Sequence, residues 1–238
     1  MDVDGVFVTG SGTEVGKTVV AAVVARTLAA AGRRVAAFKP AVTGLDDLPA
    51  DGPETSDIWT ESAHRPDHDV LRMAAGSEQR DEEIAPYRYG PPMSPHLAAE
   101  LAGEAVERER LLSAAAAAGS GADFLVCEGV GGLLVPLSTS PRYLVRDLAV
   151  DLALPLVVAA SPGLGTINHT LLTLEAARAA GLSVATVVLT PWPEHPGAIE
   201  ESNRETIAAL GEVRVETLPW LALDRPESWP ELPLPALG

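Results

Sequence analysis

The stretch that most constrains the fold is an apolar run, a glycine-rich loop, a Lys-Thr pair and a helix-forming segment, all within residues 3–31. The run VDGVFVTG ends at Gly10 and predicts a buried strand. The Ala- and Val-rich segment from Lys17 to Ala31 has helical spacing. A loop between such elements presents backbone N–H groups and a helix N-terminus, which together cradle anions. The sequence therefore predicts a phosphate-binding loop.

The loop resembles the pattern G-x-x-x-x-G-K-[ST], although Ser11 stands where the first glycine is usual and Gly10 lies one residue earlier. In this pattern the lysine reaches the β- and γ-phosphates and the following hydroxyl binds Mg²⁺. The predicted nucleotide-binding residues of the loop are Gly12, Thr13, Glu14, Val15, Gly16, Lys17 and Thr18.

Lysine is rare in this chain. Of 17 basic residues, only Lys17 and Lys39 are lysines, and the others are arginines. Lysine is a compact point charge on a flexible stem, and the planar guanidinium of arginine does not replace it. Lys39 ends a second predicted strand, RVAAFKP. We therefore interpret both lysines as candidate site residues.

Composition excludes several classes of function. The formal net charge is −16, and no basic cluster is present that would attract nucleic acid. No apolar run is long enough to span a membrane, and the acidic N-terminus is unlike a signal peptide. The single cysteine, Cys127, excludes an internal disulfide and fits the core. We expect a cytoplasmic protein that binds neither nucleic acid nor membrane.

Apolar strands alternate with helices along the chain, which predicts an α/β fold with a mostly parallel sheet of about six to seven strands, covered by helices on both faces. We expect one domain, residues 1–221, and an irregular Pro-rich tail, residues 222–238. A short helix is predicted from Asp69 to Ala75 and a long one from Ser94 to about Ala118. The other predicted strands are 123–128, 154–160, 183–190 and 213–218, and the other predicted helices are 166–180 and 198–210.

Ligands of such sheets bind beyond the carboxyl ends of the strands. The residues predicted at that edge are Gly10, Lys39, Glu128, Ser161, Thr190 and Pro219. Glu128 suits a second Mg²⁺ ligand, and the glycines after it permit close approach of a phosphate. The histidines His64, His68 and His195 lack metal-ligand spacing and are predicted to lie on the surface.

Five motifs occur in the order in which dethiobiotin synthetases carry them, and together they span roughly residues 3 to 221. They are GTEVGKT at 12–18, FKP with Thr43-Gly44, PMSPH at 92–96, EGVGG at 128–132 and GLGTINH at 163–169. The chain resembles that family on these residues. The resemblance implies a P-loop NTPase-like fold and an ATP- and Mg²⁺-dependent ligase of biotin biosynthesis. It also implies carboxylation and ring closure of 7,8-diaminononanoate with CO₂, in a homodimer with substrate at the interface.

The resemblance also implies roles for individual residues. Lys17 and Lys39 flank the reacting carbamate and γ-phosphate, and Thr18, Glu128 and an aspartate hold Mg²⁺. That aspartate is assigned to Asp69, with Asp57 and Asp67 as weaker candidates. The implied substrate-binding residues are Thr13, Thr43, Ser94, Gly165, Thr166, Ile167 and Asn168. A helix that begins near Thr166 offers free N–H groups to the substrate carboxylate.

The nucleotide base is expected near Thr190 and Pro219. Many family members have asparagine where this chain has Thr190, and a carboxamide can pair with adenine at two atoms. A threonine hydroxyl cannot, so we expect ATP or another nucleoside triphosphate to serve.

Two other functions compete with this one. A partition- or switch-type ATPase without ligase activity has a signature lysine at the place of Gly12, which this chain lacks. A cobyrinate-type amidoligase needs a glutaminase unit with a cysteine nucleophile, and neither the length nor Cys127 fits one.

Overall fold

Apolar segments form the sheet of the protein. The computed structural model describes residues 3–47, 65–223 and 225–232. In chain order the strands are β1 (Asp4–Gly10), β2 (Val35–Phe38), β3 (Phe124–Gly132), β4 (Pro136–Thr139), β5 (Arg142–Leu144), β6 (Leu156–Ala160), β7 (Val184–Trp192) and β8 (Val215–Pro219). The main sheet has the order β2-β3-β1-β6-β7-β8, and every pairing in it is parallel. β4 and β5 form a separate antiparallel hairpin.

Helices cover both faces of this sheet. They are α1 (Lys17–Ala30), α2 (Asp67–Ala75), α3 (Asp81–Ile84), α4 (Pro95–Leu101), α5 (Arg108–Gly119), α6 (Val145–Leu152), α7 (Thr166–Ala179) and α8 (Ala198–Gly211). Along β1, Val6 and Val8 pack against α1 and α2, whereas Phe7 between them packs in the cluster that holds α5 and α6. A strand buried on both faces must be apolar at every position, which explains the unbroken apolar runs.

The structure confirms the fold class predicted from the sequence but differs from it in detail. The predicted long helix is two helices, α4 and α5, which a turn through Gly103 separates. α2 begins two residues earlier than predicted, at Asp67. β3 continues past Glu128 to Gly132. The hairpin, α3 and α6 were not predicted. The hairpin and α3 are too short to show periodicity, whereas α6 has apolar residues at helical spacing, at positions 145, 148, 149 and 152.

The Pro-rich C-terminal segment is irregular in backbone but not detached from the core. A short 3₁₀ turn spans Pro226–Ser228. Trp229 and Leu232 are buried in the cluster that contains α1, and the backbone N–H of Leu232 donates to Thr27 of that helix at 3.2 Å. Residues 225–232 therefore cover part of α1. Within the described residues, no helix combines the length and the hydrophobicity needed to cross a lipid bilayer.

Candidate nucleotide and metal site

The phosphate loop runs from the end of β1 to the start of α1, and two glycines shape it. At Gly10 a Cβ atom would lie 2.7 Å from the carbonyl oxygen of Gly12, so the loop folds back too tightly for a side chain. Gly16 has φ +82° and precedes the first helical residue. That left-handed conformation favours glycine, and a Cβ there would lie 2.5 Å from the methyl group of Thr190. Gly10 thus provides the residue without a side chain that the usual pattern places one position later. Ser11, which stands at that later position, fits without strain.

Glu14 marks the exposed turn of the same loop. Its φ is +56°, an uncommon backbone conformation for a residue with a side chain. Such strain costs about 1–3 kcal/mol and concentrates where a loop clamps a ligand. Thr13, beside it, is exposed, and Gly131 comes close enough that a Cβ there would lie 3.9 Å from the Thr13 hydroxyl. The loop and the glycines after Glu128 therefore line one surface.

Lys17 is buried at the start of α1. Its Nζ donates to the carbonyl oxygen of Gly12 at 2.9 Å, and its exposed fraction is 8%. Burial lowers the pKa of Lys17 below its usual value, and the positive charge of Lys39 lowers it further, while Glu128 and Asp67 oppose the shift. Among the described residues the ammonium is held by a single backbone bond, so it can turn towards a phosphate without breaking an ion pair there.

Four side chains from four segments of the chain meet beside the loop. The hydroxyl of Thr18 lies 2.9 Å from Oε1 of Glu128 and 3.0 Å from Oδ1 of Asp67. Nζ of Lys39 lies 2.6 Å from the same Glu128 oxygen and 2.7 Å from Oδ2 of Asp67. We call Thr18, Lys39, Asp67 and Glu128 the carboxylate cluster. The topology builds it, because β1, β2 and β3 are adjacent parallel strands that present the same edge.

The charges of the cluster influence one another strongly. Burial would lower the pKa of Lys39, but its contacts with Asp67 and Glu128 outweigh that effect and raise the pKa above its usual range. Burial raises the pKa of the Glu128 carboxyl, and Lys39 only partly offsets the shift. Burial would also raise the pKa of Asp67, but the charge of Lys39 lowers it. Lys39 therefore stays protonated between the two carboxyl groups.

The structure corrects the choice of the metal-binding aspartate. Asp69 was preferred from the sequence, but its carboxylate pairs with Arg72 one turn further along α2 and does not contact the cluster. Asp67, the first residue of α2, is the one that meets Thr18 and Lys39. Asp57 lies outside the described residues.

The histidine predictions had mixed outcomes. His195 is exposed, as predicted, whereas His68 is buried, with an exposed fraction of 3%. His68 is therefore not a surface residue. His64 lies outside the described residues.

The carboxylate cluster fits a magnesium ion. Mg²⁺ prefers octahedral oxygen ligands at 2.0–2.1 Å, which places neighbouring ligand oxygens about 2.9–3.0 Å apart. The distances from the Thr18 hydroxyl to Glu128 and Asp67 match that edge length. Oε2 of Glu128 is buried and has no hydrogen-bond partner among the described residues. A buried carboxylate oxygen without a partner is costly unless a cation or water reaches it.

The turn before α7 is held by a side chain of α8. Asn203 of α8 is buried, and its amide donates to the carbonyl oxygens of Pro162 and Gly163. This residue was missed, because nothing in the sequence links position 203 to the turn. Thr166 is buried and contacts Thr170, whereas Gly165 and Asn168 are exposed and Ile167 is partly buried. The N–H of Thr166 donates to the carbonyl oxygen of Gly163, so Ile167 and Asn168 are the residues of the first turn whose N–H groups lack a partner within the helix.

Two other motifs lie side by side. The backbone N–H of Gly44 donates to the carbonyl oxygen of Pro91 at 3.1 Å, which joins the segment after Lys39 to the PMSPH segment. Thr43 and Ser94 are both partly buried at this junction. Ser94 immediately precedes α4, and Pro95 is its first residue.

Thr190 turns towards the phosphate loop. It is buried, and its methyl group packs against Gly16. Its hydroxyl is therefore enclosed beside the loop. Pro219, at the end of β8, is exposed and pairs in register with Trp192 of β7. Of the two residues predicted near the base, only Pro219 faces solvent.

Known proteins resemble this chain in sequence and in fold. A family model described as an AAA domain matches residues 4–226. ATP-dependent dethiobiotin synthetase of Mycobacterium avium is 42% identical over 208 residues, which cover 87% of this chain and 83% of the relative. The same enzyme of Anaeromyxobacter dehalogenans is 39% identical over 91% of this chain and 90% of the relative.

Solved structures of other families share the architecture. A ParA family ATPase from Chlorobium tepidum has a TM-score of 0.54 at 13% identity and covers 95% of this chain and 88% of its own. The MinC:MinD cell division complex of Aquifex aeolicus gives 0.54 at 13% identity, with 94% of this chain and 86% of that chain covered. These structures show a P-loop NTPase-like fold and nothing more, whereas the sequence relatives match nearly the whole chain at much higher identity. The chain belongs to the dethiobiotin synthetase family.

Proposed function

We propose that this protein is an ATP-dependent dethiobiotin synthetase, a ligase of biotin biosynthesis. It carboxylates 7,8-diaminononanoate with CO₂ and closes the ring, with release of ADP and phosphate. The proposal rests mainly on the position of the only two lysines of the chain. Lys39 contacts Asp67 and Glu128, and Lys17 contacts the phosphate loop. A chain with a net charge of −16 concentrates positive charge where two anions must react.

The chemistry needs positive charge for a simple reason. One amine of the substrate adds to CO₂ and gives a carbamate, whose oxygen accepts the γ-phosphoryl group of the nucleotide. The second amine then displaces phosphate and closes the cyclic urea. Carbamate and triphosphate are both anionic, and phosphoryl transfer depends mainly on positioning and electrostatic stabilisation. Lys17 and Lys39 supply ammonium groups beside the loop.

Mg²⁺, when bound, would neutralise phosphate charge and orient the transferred group. Thr18, Asp67 and Glu128 would hold it. The loop residues Gly12 to Thr18 would bind the phosphates through backbone N–H groups. Pro219 would face the base, and Thr190 would support the loop rather than touch the base.

The substrate would lie along the same edge of the sheet. Thr13, Thr43 and Ser94 would contact its diamine end. Its carboxylate would bind at the first turn of α7, at residues 165–168, where N–H groups and the positive end of the helix dipole favour an anion. We further propose a homodimer in which this turn serves the phosphate loop of the partner subunit.

Isotope labelling tests the proposed reaction. Protein, diamine, MgATP and ¹³C-bicarbonate should yield a cyclic urea that carries one labelled carbonyl, detected by mass spectrometry. The matched control is Asp67→Asn, which keeps the size of the side chain and removes a proposed metal ligand. Unlabelled diamine recovered intact with the wild-type protein, while ATP is consumed, would contradict the proposal and favour an ATPase without ligase activity.

A further inference from the structure

The ammonium group of Lys39 contacts the carboxylate oxygen atoms that would coordinate a metal ion. Its Nζ is 2.6 Å from Oε1 of Glu128 and 2.7 Å from Oδ2 of Asp67. The hydroxyl of Thr18 contacts that same Glu128 oxygen. Lys39 and Glu128 are almost fully buried, so solvent does not separate the ammonium from the carboxylate. The carboxylate cluster thus already contains a cation that belongs to the chain.

We propose that Lys39 and the divalent ion compete for Asp67 and Glu128, so that metal enters only when the Lys39 ammonium leaves these carboxylates. The inference rests on the proposed function, because it uses the metal site assigned there. Lys39 thereby acts as a built-in counter-ion that couples metal binding to nucleotide binding.

Charge balance is the first reason. Two carboxylates carry a charge of −2 and Lys39 carries +1, so the cluster has a net charge of −1 with the lysine in place, and a divalent ion alone would neutralise both carboxylates. Adding a divalent ion beside the ammonium would bring two positive centres together next to the buried Glu128 carboxylate, where screening is weak. One of the two cations must therefore move.

The length of the side chain is the second reason. A lysine has four methylene groups with free rotation, so its ammonium can swing while the backbone stays in place. The neighbouring phosphates of a nucleotide offer the ammonium new anionic partners. Lys39 would exchange the two carboxylates for the reacting anions at the moment when the metal arrives with the triphosphate. Binding of the nucleotide therefore favours release of the lysine from the cluster.

Lys17 provides a matched comparison. It is also a buried lysine, but its Nζ donates to the carbonyl oxygen of Gly12 and makes no ion pair with either carboxylate. Removing Lys17 deletes one positive charge near the cluster without freeing a ligand oxygen. Only Lys39 should control metal affinity through direct competition.

The test measures Mn²⁺ binding by electron paramagnetic resonance, without nucleotide, on folded full-length protein. Lys39→Met should bind Mn²⁺ roughly tenfold or more tightly than wild type, about 1.4 kcal/mol, whereas Lys17→Met should differ by less than about threefold. Equal affinity in wild type and Lys39→Met would overturn the proposal. So would an equal gain in both variants, because it would reflect net charge alone.

Two further arms keep the test decisive. Lys39→Gln replaces Lys39→Met if the latter does not unfold cooperatively. Wild type needs no variant at all, since acetylation can be followed at its only two lysines by mass spectrometry. Titration with Mn²⁺ should speed acetylation of Lys39 and leave the rate at Lys17 unchanged. A Lys39 rate that stays constant up to saturating Mn²⁺ would overturn the competition.

A nucleotide arm separates this inference from the proposed function. Wild type with a non-hydrolysable ATP analogue should bind Mn²⁺, and Asp67→Asn should weaken that binding. If both results hold but Lys39→Met gains no affinity, only the competition fails. If Asp67→Asn has no effect with the analogue, the metal assignment fails, and the inference fails with it.

Discussion

Asp67 and Asp69 differ by two positions, and that difference decides which one lies beside Thr18 and Lys39. Residues two apart on a helix point in nearly opposite directions, since each residue turns the helix by about 100°. Once Asp67 of α2 faces Thr18, Asp69 must face away, towards Arg72. The motif spacing located the right helix but not its first residue. Sequence alone does not fix a helix start to within two residues, so the structure was needed to find which aspartate joins the carboxylate cluster.

The two aspartates form a matched pair for mutation. Asp67→Asn removes a carboxylate from the carboxylate cluster, and we expect kcat/KM to fall by roughly a hundredfold or more, about 2.7 kcal/mol of transition-state stabilisation. Asp69→Asn removes only a partly exposed ion pair with Arg72, so kcat/KM should stay within about threefold of wild type. Steady-state kinetics of phosphate release with all substrates would measure both. The opposite pattern would restore the original assignment of Asp69.

Thr190 carries a prediction about the base. Its side chain is buried against Gly16, so no hydrogen bond from it reads a base edge. A bidentate amide contact is worth roughly 1–3 kcal/mol of discrimination, and this chain lacks it at that position. We expect CTP, GTP and UTP to support turnover within about tenfold of ATP in kcat/KM. Kinetics with the four triphosphates side by side decide the matter, and an ATP preference of several hundredfold would show that other groups select adenine.

At the scale of elements, long apolar runs were predictable and short elements were not. All six strands of the sheet were predicted from segments rich in apolar residues. The central strands are apolar because helices cover both faces, whereas the edge strand β8 (VETLP) is only partly buried. The Ala-rich stretch after Ser94 was predicted as one helix, yet Gly103 lies in the turn that separates α4 from α5. Glycine weakens a helix by about 1 kcal/mol relative to alanine, which an otherwise helical pattern conceals. The hairpin has too few residues for a periodic signal, whereas α6 has apolar residues at helical spacing that the prediction overlooked.

The C-terminal segment was predicted as an irregular tail, and its packing carries a second prediction. The indole of Trp229 is buried and donates to the carbonyl oxygen of Ala222. We expect Trp229→Ala to lower the free energy of unfolding by about 3 kcal/mol, because it leaves a cavity beside α1. Trp220 has an exposed fraction of 41%, and Trp220→Ala should change stability by no more than about 0.5 kcal/mol. Urea unfolding followed by circular dichroism compares the two variants. A loss for Trp229→Ala as small as that for Trp220→Ala would mean that the segment contributes nothing to the core.

At the scale of the molecule, the sheet brings together residues that are far apart in sequence. Thr18, Lys39, Asp67 and Glu128 come from four separate segments, and the order of β2, β3 and β1 makes them neighbours. The edge was predictable from the alternation of strands and helices. The ion pairs within the cluster were not predictable, because local sequence patterns do not determine the order of the strands. Partition ATPases share the architecture, so the activity depends on the site and not on the fold.

The proposed homodimer predicts complementation between inactive variants. If the first turn of α7 serves the partner's loop, Lys17→Ala and Asn168→Asp damage different halves of each shared site. Half of the dimers in an equal, exchanged mixture are hybrids with one intact site, so about a quarter of wild-type activity should return. Lys17→Ala mixed with Asp67→Asn is the control and should recover nothing, since both changes lie in the same half. Equal outcomes for the two mixtures would place the whole site within one chain.

The central claim is that phosphate leaves the nucleotide only as part of ligation. Phosphate release by the wild-type protein should be measured with MgATP alone, with diamine or bicarbonate added singly, and with both. We expect release to need both and to rise by roughly a hundredfold or more over MgATP alone, because the carbamate is the phosphoryl acceptor. Equal release with MgATP alone would mean that water is the acceptor, and the protein would then be an ATPase rather than a ligase.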